Sequence, residues 1–142
     1  MQTSARNQFN GTISDIQLGA VNAEIQIALP GGENIIATVT KDSVSTLGLK
    51  TGLAVIALVK APQVIIATDL AGYRISARNQ LQGTITQVLT GAVNSEVDIE
   101  LKGGEKLAAT VTNDSVETLG LRKGQVVTAI FKAGAVILAV PS

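Results

Sequence analysis

Hydrophobic and polar residues alternate along most of this chain, in short runs bounded by glycine, proline or asparagine. In the first half the alternation predicts half-buried strands at residues 11–17, 24–29 and 34–40. Two strongly apolar runs, at residues 53–59 and 64–67, predict a fourth and a fifth strand. Glycines at residues 31 and 32 supply the tight turn between the second and third strands.

The period of the pattern changes between the third and fourth predicted strands. Thr40 and Ser43 offer capping side chains, Val44 and Leu47 are at helical spacing, and Gly48 follows to end the segment. The sequence therefore predicts one short helix at this point.

The chain then repeats itself. Residues 4–8 recur unchanged 72 positions later, and slightly more than half of the residues aligned at that offset are identical. The second half predicts strands at 83–89, 95–101, 107–112, 125–131 and 135–140, with a helix after Asp114. We interpret residues 1–68 and 76–142 as two units joined by a linker at 69–75. Five strands with a helix between the third and fourth predict an all-β fold with short helices, built as two tandem OB-type five-stranded barrels.

The small size of each unit and the high hydrophobic content of the chain both favour assembly. Each unit is near the lower size limit for a self-sufficient core. The chain is 46% hydrophobic and only 15% charged, which favours burying apolar surface between units or between chains. We therefore expect an oligomer.

Charge and residue content exclude several functions. There are 11 basic and 11 acidic residues, so no long-range field attracts a polyanion. The chain has no cysteine or histidine, which excludes thiol chemistry, disulfides and the usual zinc sites. No paired base and nucleophile or carboxylate dyad is evident, so we expect no enzyme. We find no signal-peptide pattern and no transmembrane span, so we expect a cytoplasmic protein without membrane contact.

Three places in each unit concentrate hydrogen-bond donors, which suits an oxyanion. They are the opening Ser-Ala-Arg-Asn-Gln segment, the helix start with its hydroxyls and free N–H groups, and a lysine that ends an apolar strand. Other roles fit as well: the hydroxyls as helix caps, the lysine as a solvated strand end, and the arginine as a surface ion pair. Both copies keep the donors while Lys41 becomes Asn113 and Pro62 becomes Gly134, which favours a shared role.

A fourth repeated segment is Gly-Ala-Val-Asn, which contains Ala20, Val21 and Asn22 in the first unit and Ala92, Val93 and Asn94 in the second. A turn that needs glycine and asparagine conformations explains it. The alternative is a second type of anion site or a subunit contact made of small residues and backbone N–H groups.

Together, Thr-Ser-Ala-Arg-Asn-Gln, Gly-Ala-Val-Asn with a following glutamate, Asp-Ser-Val-x-x-Leu-Gly-Leu and Val-Lys-Ala resemble the molbindin, or Mop, family of molybdate-binding proteins. The resemblance covers essentially the whole chain twice. It implies OB-type barrels in rings of six Mop units, hence a homotrimer, with molybdate or tungstate as ligand and no catalytic cofactor or free metal cation. The implied ligand residues are Ser4, Arg6, Thr40, Ser43, Lys60 and Ala61, with Ser76, Arg78, Thr112, Ser115, Lys132 and Ala133 as their counterparts. The resemblance further implies that the serine and arginine lie on one unit. The threonine, second serine, lysine and alanine that face them lie on another unit.

The chemistry of molybdate agrees with such a site. The anion is a tetrahedral dianion with acceptor oxygens only, so hydroxyls, backbone N–H groups and cations can surround it. The resemblance thus implies cytoplasmic storage and homeostasis of molybdate or tungstate. One alternative is a sensing subunit that signals occupancy to a partner protein. A less favoured one is an OB-type nucleic-acid module, since only Phe9, Tyr73 and Phe131 could stack on bases and the net charge is zero.

Overall fold

The computed structural model describes all 142 residues. The first half contains β1 (Asn7–Leu18), β2 (Asn22–Ala28), β3 (Asn34–Thr40), α1 (Lys41–Leu47), β4 (Ala54–Val59) and β5 (Ile65–Ala67). The second half contains β6 (Asn79–Thr90), β7 (Asn94–Leu101), β8 (Lys106–Thr112), α2 (Asn113–Leu119), β9 (Val126–Phe131) and β10 (Ile137–Ala139). Single 3-10 turns, Ala61–Gln63 and Ala133–Ala135, follow β4 and β9. Every strand and helix predicted from the pattern is present, in the predicted order.

The strands form two five-stranded antiparallel sheets that match the predicted OB-type barrels. One sheet has the order β10-β4-β1-β2-β3 and the other β5-β9-β6-β7-β8. The short fifth strands are therefore exchanged: Ile137 of β10 pairs with Leu58 of β4, and Ile65 of β5 pairs with Ile130 of β9. Each barrel is completed by the other half of the chain, which differs from the expected side-by-side units held only by a linker.

The first strand of each unit is longer than predicted and bends in its middle. The two strands begin at Asn7 and Asn79, whereas the alternating pattern predicts that they start at residues 11 and 83. The pairing register of β1 with β2 shifts between Ile13 and Asp15, and β6 shifts at the equivalent place. Such a bulge increases local twist, so one strand can pair with β2 along one part and with β4 along the other.

The two short helices are capped as predicted. The Thr40 hydroxyl accepts a bond from the Ser43 N–H at 3.1 Å, and Gly48 takes a left-handed conformation with φ 64° at the end of α1. In α2, Thr112 and Gly120 take the same roles. Neither helix is long and apolar enough to cross a membrane.

The core is shared between the two halves. Its 27 buried residues form a single cluster that includes Ile13 and Ile25 of the first half, Val97 and Phe131 of the second, and Leu138 of the exchanged β10. Because the exchanged strands add Ile66 and Leu138 to the opposite barrels, burial of apolar surface couples the two halves.

Candidate oxyanion site

An asparagine at the start of each unit bridges to the opposite unit. The Asn7 amide group accepts from the Ala108 N–H at 2.7 Å and donates to the Ala108 carbonyl at 2.8 Å. Asn79 makes the same two bonds to Ile36, both at 2.8 Å. Both asparagine side chains are buried and fully paired. The opening segment of each unit is therefore fixed against the third strand of the other.

The neighbouring arginines also reach across to the opposite unit. Arg6 Nη1 pairs with Glu96 Oε1, and its Nη2 donates to Glu96 Oε2 at 3.0 Å. Arg78 pairs with Glu24 through Nη1 alone. These glutamates are the acidic residues that follow each Gly-Ala-Val-Asn segment. Both arginines therefore form ion pairs, as one interpretation of the sequence expected. Their contact with an anion stays a prediction.

The lysines lie at the same sheet edge as the opening segments of their own unit. Asn7 pairs in register with Val59, so Lys60 follows β4 where residues 4–6 precede β1. In the second unit, Ser76 and Lys132 line one cavity of about 360 Å³. Both lysine side chains are exposed and form no salt bridge, while Ala61 and Ala133 are buried beside them.

The hydroxyl pairs lie at the ends of β3 and β8. In each pair the two hydroxyl oxygens, of Thr40 and Ser43 or of Thr112 and Ser115, are 2.8 Å apart. The threonines are exposed and the serines partly so. These side chains serve as helix caps, as the alternative interpretation proposed, and their exposed oxygens remain able to bond to a ligand.

Each of the two 3-10 turns packs against a strand of the opposite unit. The turn Ala61–Gln63 contacts β8 of the second unit, and Ala133–Ala135 contacts β3 of the first. β8 contains Ala108, which Asn7 binds, and ends at the capping Thr112. We define the Arg6 site as Ser4, Arg6, Lys60 and Ala61 with Thr112 and Ser115, and the Arg78 site as Ser76, Arg78, Lys132 and Ala133 with Thr40 and Ser43.

This grouping differs from the one that the resemblance implied. There, the lysine and alanine were expected on the unit opposite the serine and arginine. Within one chain, the register of β1 with β4 places Lys60 beside the opening segment of its own unit, while the grouping of these residues around an anion stays a prediction. The difference arises because β1 and β4 are hydrogen-bonded neighbours in one sheet, so the residue before one and the residue after the other meet at one edge.

The Gly-Ala-Val-Asn segments form the β1–β2 and β6–β7 turns. The Gly19 N–H donates to the Asn22 carbonyl at 2.8 Å, and the Gly91 N–H to the Asn94 carbonyl at 2.9 Å. Val21 and Val93 are 71% and 73% exposed at the tips. The turn interpretation accounts for the glycine and asparagine, while a second type of anion site at residues 20–22 and 92–94 stays a prediction.

The surroundings of the two arginines are not alike. Asp98 and Lys106 line a cavity of about 330 Å³ together with Arg6, and the equivalent residues of the first unit are Gln26 and Asn34. Partial burial raises the pKa of the Asp98 carboxyl above its ordinary value of 3.8, and Glu96 raises that pKa further, whereas Arg6 and Lys106 lower it.

Sequence reasoning missed the residues that act between units. Besides Asn7 and Asn79, these are Glu33, which accepts from the Gly103 N–H at 2.9 Å, and Glu105, which accepts from the Gly31 N–H at 2.9 Å. The asparagine and the glutamate are each kept at the same position of both repeat units, and this repetition could have identified them. Their partners were not predictable, because each lies in the other unit.

The two candidate sites consist mainly of hydrogen-bond donors. Each candidate site contains one arginine, one lysine and three hydroxyl groups, all of which can donate to acceptor oxygens. No three acidic side chains lie close enough to hold a metal cation. The chemistry of the donors therefore fits an oxyanion.

Comparison with known proteins agrees with the fold and the repeat. The TOBE domain family matches residues 3–66 and, a second time, residues 75–138. The chain is 46% identical over 140 residues to the molybdenum transport protein ModE of Herbaspirillum seropedicae, covering 99% of this chain and 52% of that protein. It is 41% identical over 141 residues to the molybdenum-pterin-binding protein MopA of Rhodobacter capsulatus, covering 99% of this chain and 53% of the other. The chain thus spans about half the length of these curated relatives.

A solved structure gives the most complete comparison. The cytoplasmic molybdate-binding protein ModG, in a form with molybdate bound, superposes with a TM-score of 0.97 at 50% identity, covering 99% of this chain and 100% of that one. The agreement extends over both halves, so it includes the arrangement of one unit on the other. The chain belongs to the TOBE-domain family and carries two Mop-type copies of that domain in tandem.

Proposed function

We propose that this protein binds molybdate between its units and serves in cytoplasmic storage and homeostasis of that oxyanion, without catalytic activity. Tungstate, which has nearly the same size and charge, is proposed as a second ligand. The observation that carries the proposal is the contact of the 3-10 turn Ala61–Gln63 with β8, which supports a site whose donors come from both units. The likeness to the molybdate-bound ModG structure supports the same ligand.

The donor set suits molybdate better than other common anions. A fully deprotonated dianion accepts bonds on every oxygen, so arginine, lysine and hydroxyl groups can all donate to it. Each hydrogen bond to a charged group is worth about 1.5 to 3 kcal/mol. Sulfate is smaller and would leave the donors stretched, and phosphate often carries a proton that needs an acceptor.

The protein is proposed to act as a homotrimer. Exposed apolar side chains recur at equivalent positions of the two units, among them Val21 with Val93 and Ile65 with Ile137. Such a repeated arrangement supports burial against other chains. Analytical ultracentrifugation tests the assembly, and a monomer at micromolar concentration would contradict it.

Isothermal titration with molybdate, tungstate and sulfate at constant ionic strength tests the ligand. We expect molybdate and tungstate to bind with a Kd on the order of micromolar or tighter. Equal binding of sulfate, or no heat with molybdate, would rule out the proposal.

Single substitutions test the donors. Lys60→Ala and Arg78→Ala should each weaken binding at one class of site by at least about tenfold, as expected for losing a charged hydrogen bond. Lys50→Ala, at an exposed lysine outside both sites, is the matched control. Unchanged affinity in both site variants would show that the donor assignment is wrong.

A second candidate function is molybdate sensing for a partner protein. It is favoured because the chain matches about half the length of ModE proteins, one of which is a DNA-binding transcriptional dual regulator in Escherichia coli. Pull-down from a cell extract with and without molybdate separates the two functions. A partner retained in only one of the two conditions would favour sensing, and a gel shift with duplex DNA would reveal any direct contact with nucleic acid.

A further inference from the structure

The two proposed anion sites of one chain are chemically unequal, and the difference lies in the charges around the arginines. Arg6 contacts Glu96 through both Nη atoms, whereas Arg78 contacts Glu24 through one. The Glu96 side chain is also less exposed than that of Glu24, at 19% against 32%. The guanidinium group of Arg6 is therefore held more firmly by protein carboxylates.

A further carboxylate lies near Arg6 and has no counterpart near Arg78. Asp98 is paired in register with Ala108, the residue whose backbone binds Asn7, next to Arg6. The equivalent place in the first unit has Gln26 paired with Ile36, which binds Asn79 in the same way. The backbone geometry is thus the same in both units, but Asp98 carries a charge where Gln26 does not.

The cavity is lined by two other charged residues besides Arg6 and Asp98, and these two carry opposite charges. Glu100 and Lys106 lie opposite each other in register, and they replace Ala28 and Asn34 of the first unit. Their opposite charges offset each other. Asp98 then adds about one unit of negative charge, beside Glu96, to the side of the chain that carries Arg6.

We propose that Asp98 sets the order of affinity of the two sites, making the Arg6 site the weaker and the Arg78 site the stronger. This inference rests on the proposed function of the same sites. A carboxylate close to Arg6 stabilises the guanidinium in its protein contact and repels an incoming dianion, and both effects lower anion affinity. Gln26 leaves the Arg78 site without that penalty. A chain with such unequal sites can bind molybdate over a wider range of concentration than a chain with two equal sites.

Exchanging the two residues tests the proposal. Each site is measured alone by titration with molybdate. Lys132→Ala weakens the Arg78 site and leaves the Arg6 site to be read, and Lys60→Ala does the reverse. Into each background we would introduce Asp98→Gln and, separately, Gln26→Asp. Circular dichroism and the oligomeric state of each variant confirm that assembly is retained.

In the Lys132→Ala background, Asp98→Gln should tighten molybdate binding by about three- to tenfold, as expected for removing one charge near the surface. In the Lys60→Ala background, the same change should have little effect. Gln26→Asp should weaken the Arg78 site by a similar factor and leave the Arg6 site unchanged.

Two results would overturn the inference: no tightening of the Arg6 site by Asp98→Gln, or an equal change at both sites. A wild-type protein that binds no molybdate would instead defeat the proposed function. The two failures are therefore distinguishable.

Discussion

Asn7 satisfies both backbone polar groups of Ala108, a residue that lies 101 positions away in the sequence and in the other repeat unit. Replacing its amide removes both bonds at once and leaves two buried backbone groups of β8 unpaired. We predict that Asn7→Ala lowers the unfolding free energy by about 2 kcal/mol or more, because each buried unpaired group costs about 1 to 3 kcal/mol. Urea denaturation measures the change.

The adjacent Gln8→Ala is the control for that experiment. Its side chain is exposed and bonds only to Thr3 and Ala5 of its own segment. It should change stability by less than about 0.5 kcal/mol. Similar losses in both variants would contradict a special role for the Asn7 bridge.

Gly31 and Gly103 approach each other so closely that neither can carry a side chain. A Cβ atom on Gly31 would lie 2.3 Å from the Gly103 carbonyl oxygen and 2.6 Å from its Cα. We predict that Gly31→Ala forces the units apart and destabilises the protein by about 1 to 3 kcal/mol. Thermal unfolding followed by circular dichroism measures this.

Gly134→Ala is the matched substitution, since a Cβ there meets nothing within 4 Å. It should be neutral or slightly stabilising, because alanine reduces the entropy of the unfolded chain. If Gly31→Ala were as stable as Gly134→Ala, the close contact between the units would not exist in solution.

The Asp98 carboxyl has its pKa raised in the folded protein, first by burial and then by Glu96. The folded state therefore binds this proton more readily than the unfolded state, and stability falls as pH rises from the ordinary value of 3.8 through the folded pKa. Asp98→Asn removes this loss. We predict that the gain in unfolding free energy from Asp98→Asn is larger at about pH 7 than at about pH 4.

Urea denaturation of both proteins across this pH range measures the difference. Asp15→Asn, at an exposed carboxylate on β1, controls for general changes in net charge. A gain that is largest at the acidic end would reverse the sign and refute the prediction.

The exchanged strands predict that the two halves stay together after the chain is cut. A protease site inserted after Gly72, in the exposed turn of the linker, would separate residues 1–72 from the rest. Because β5 belongs to the second sheet and β10 to the first, the cleaved halves should co-elute in size-exclusion chromatography until denaturant is added. Separate elution of two folded halves would contradict the exchange.

Much of this fold was predictable because local signals agree with the final structure. Alternating residues mark the strands, while Thr40 and Gly48 mark the ends of α1. The exchange was not predictable, since Val64 and Ile65 recur as Val136 and Ile137 and either copy fits either sheet by pattern. Local periodicity does not indicate whether β4 pairs with β5 or with the equivalent strand β10.

The candidate site was predictable in its parts and not in their grouping. Repetition identified the hydroxyls, arginines and lysines in both units. The pairing of Arg6 with Glu96 depends on residues 90 positions apart and in different units, which no local spacing encodes. For the same reason, no local pattern indicates that Asp98 lies beside Arg6.

The position of β10 also has a consequence during synthesis. β4 is complete once Val59 has been made, but its partner on one side is Ile137–Ala139. That edge of the first sheet lacks its native partner on the ribosome while nearly eighty further residues are added. The nascent first unit is thus exposed to pairing with strands of neighbouring nascent chains, and β10 from its own chain gains the advantage of high local concentration only at the end of translation.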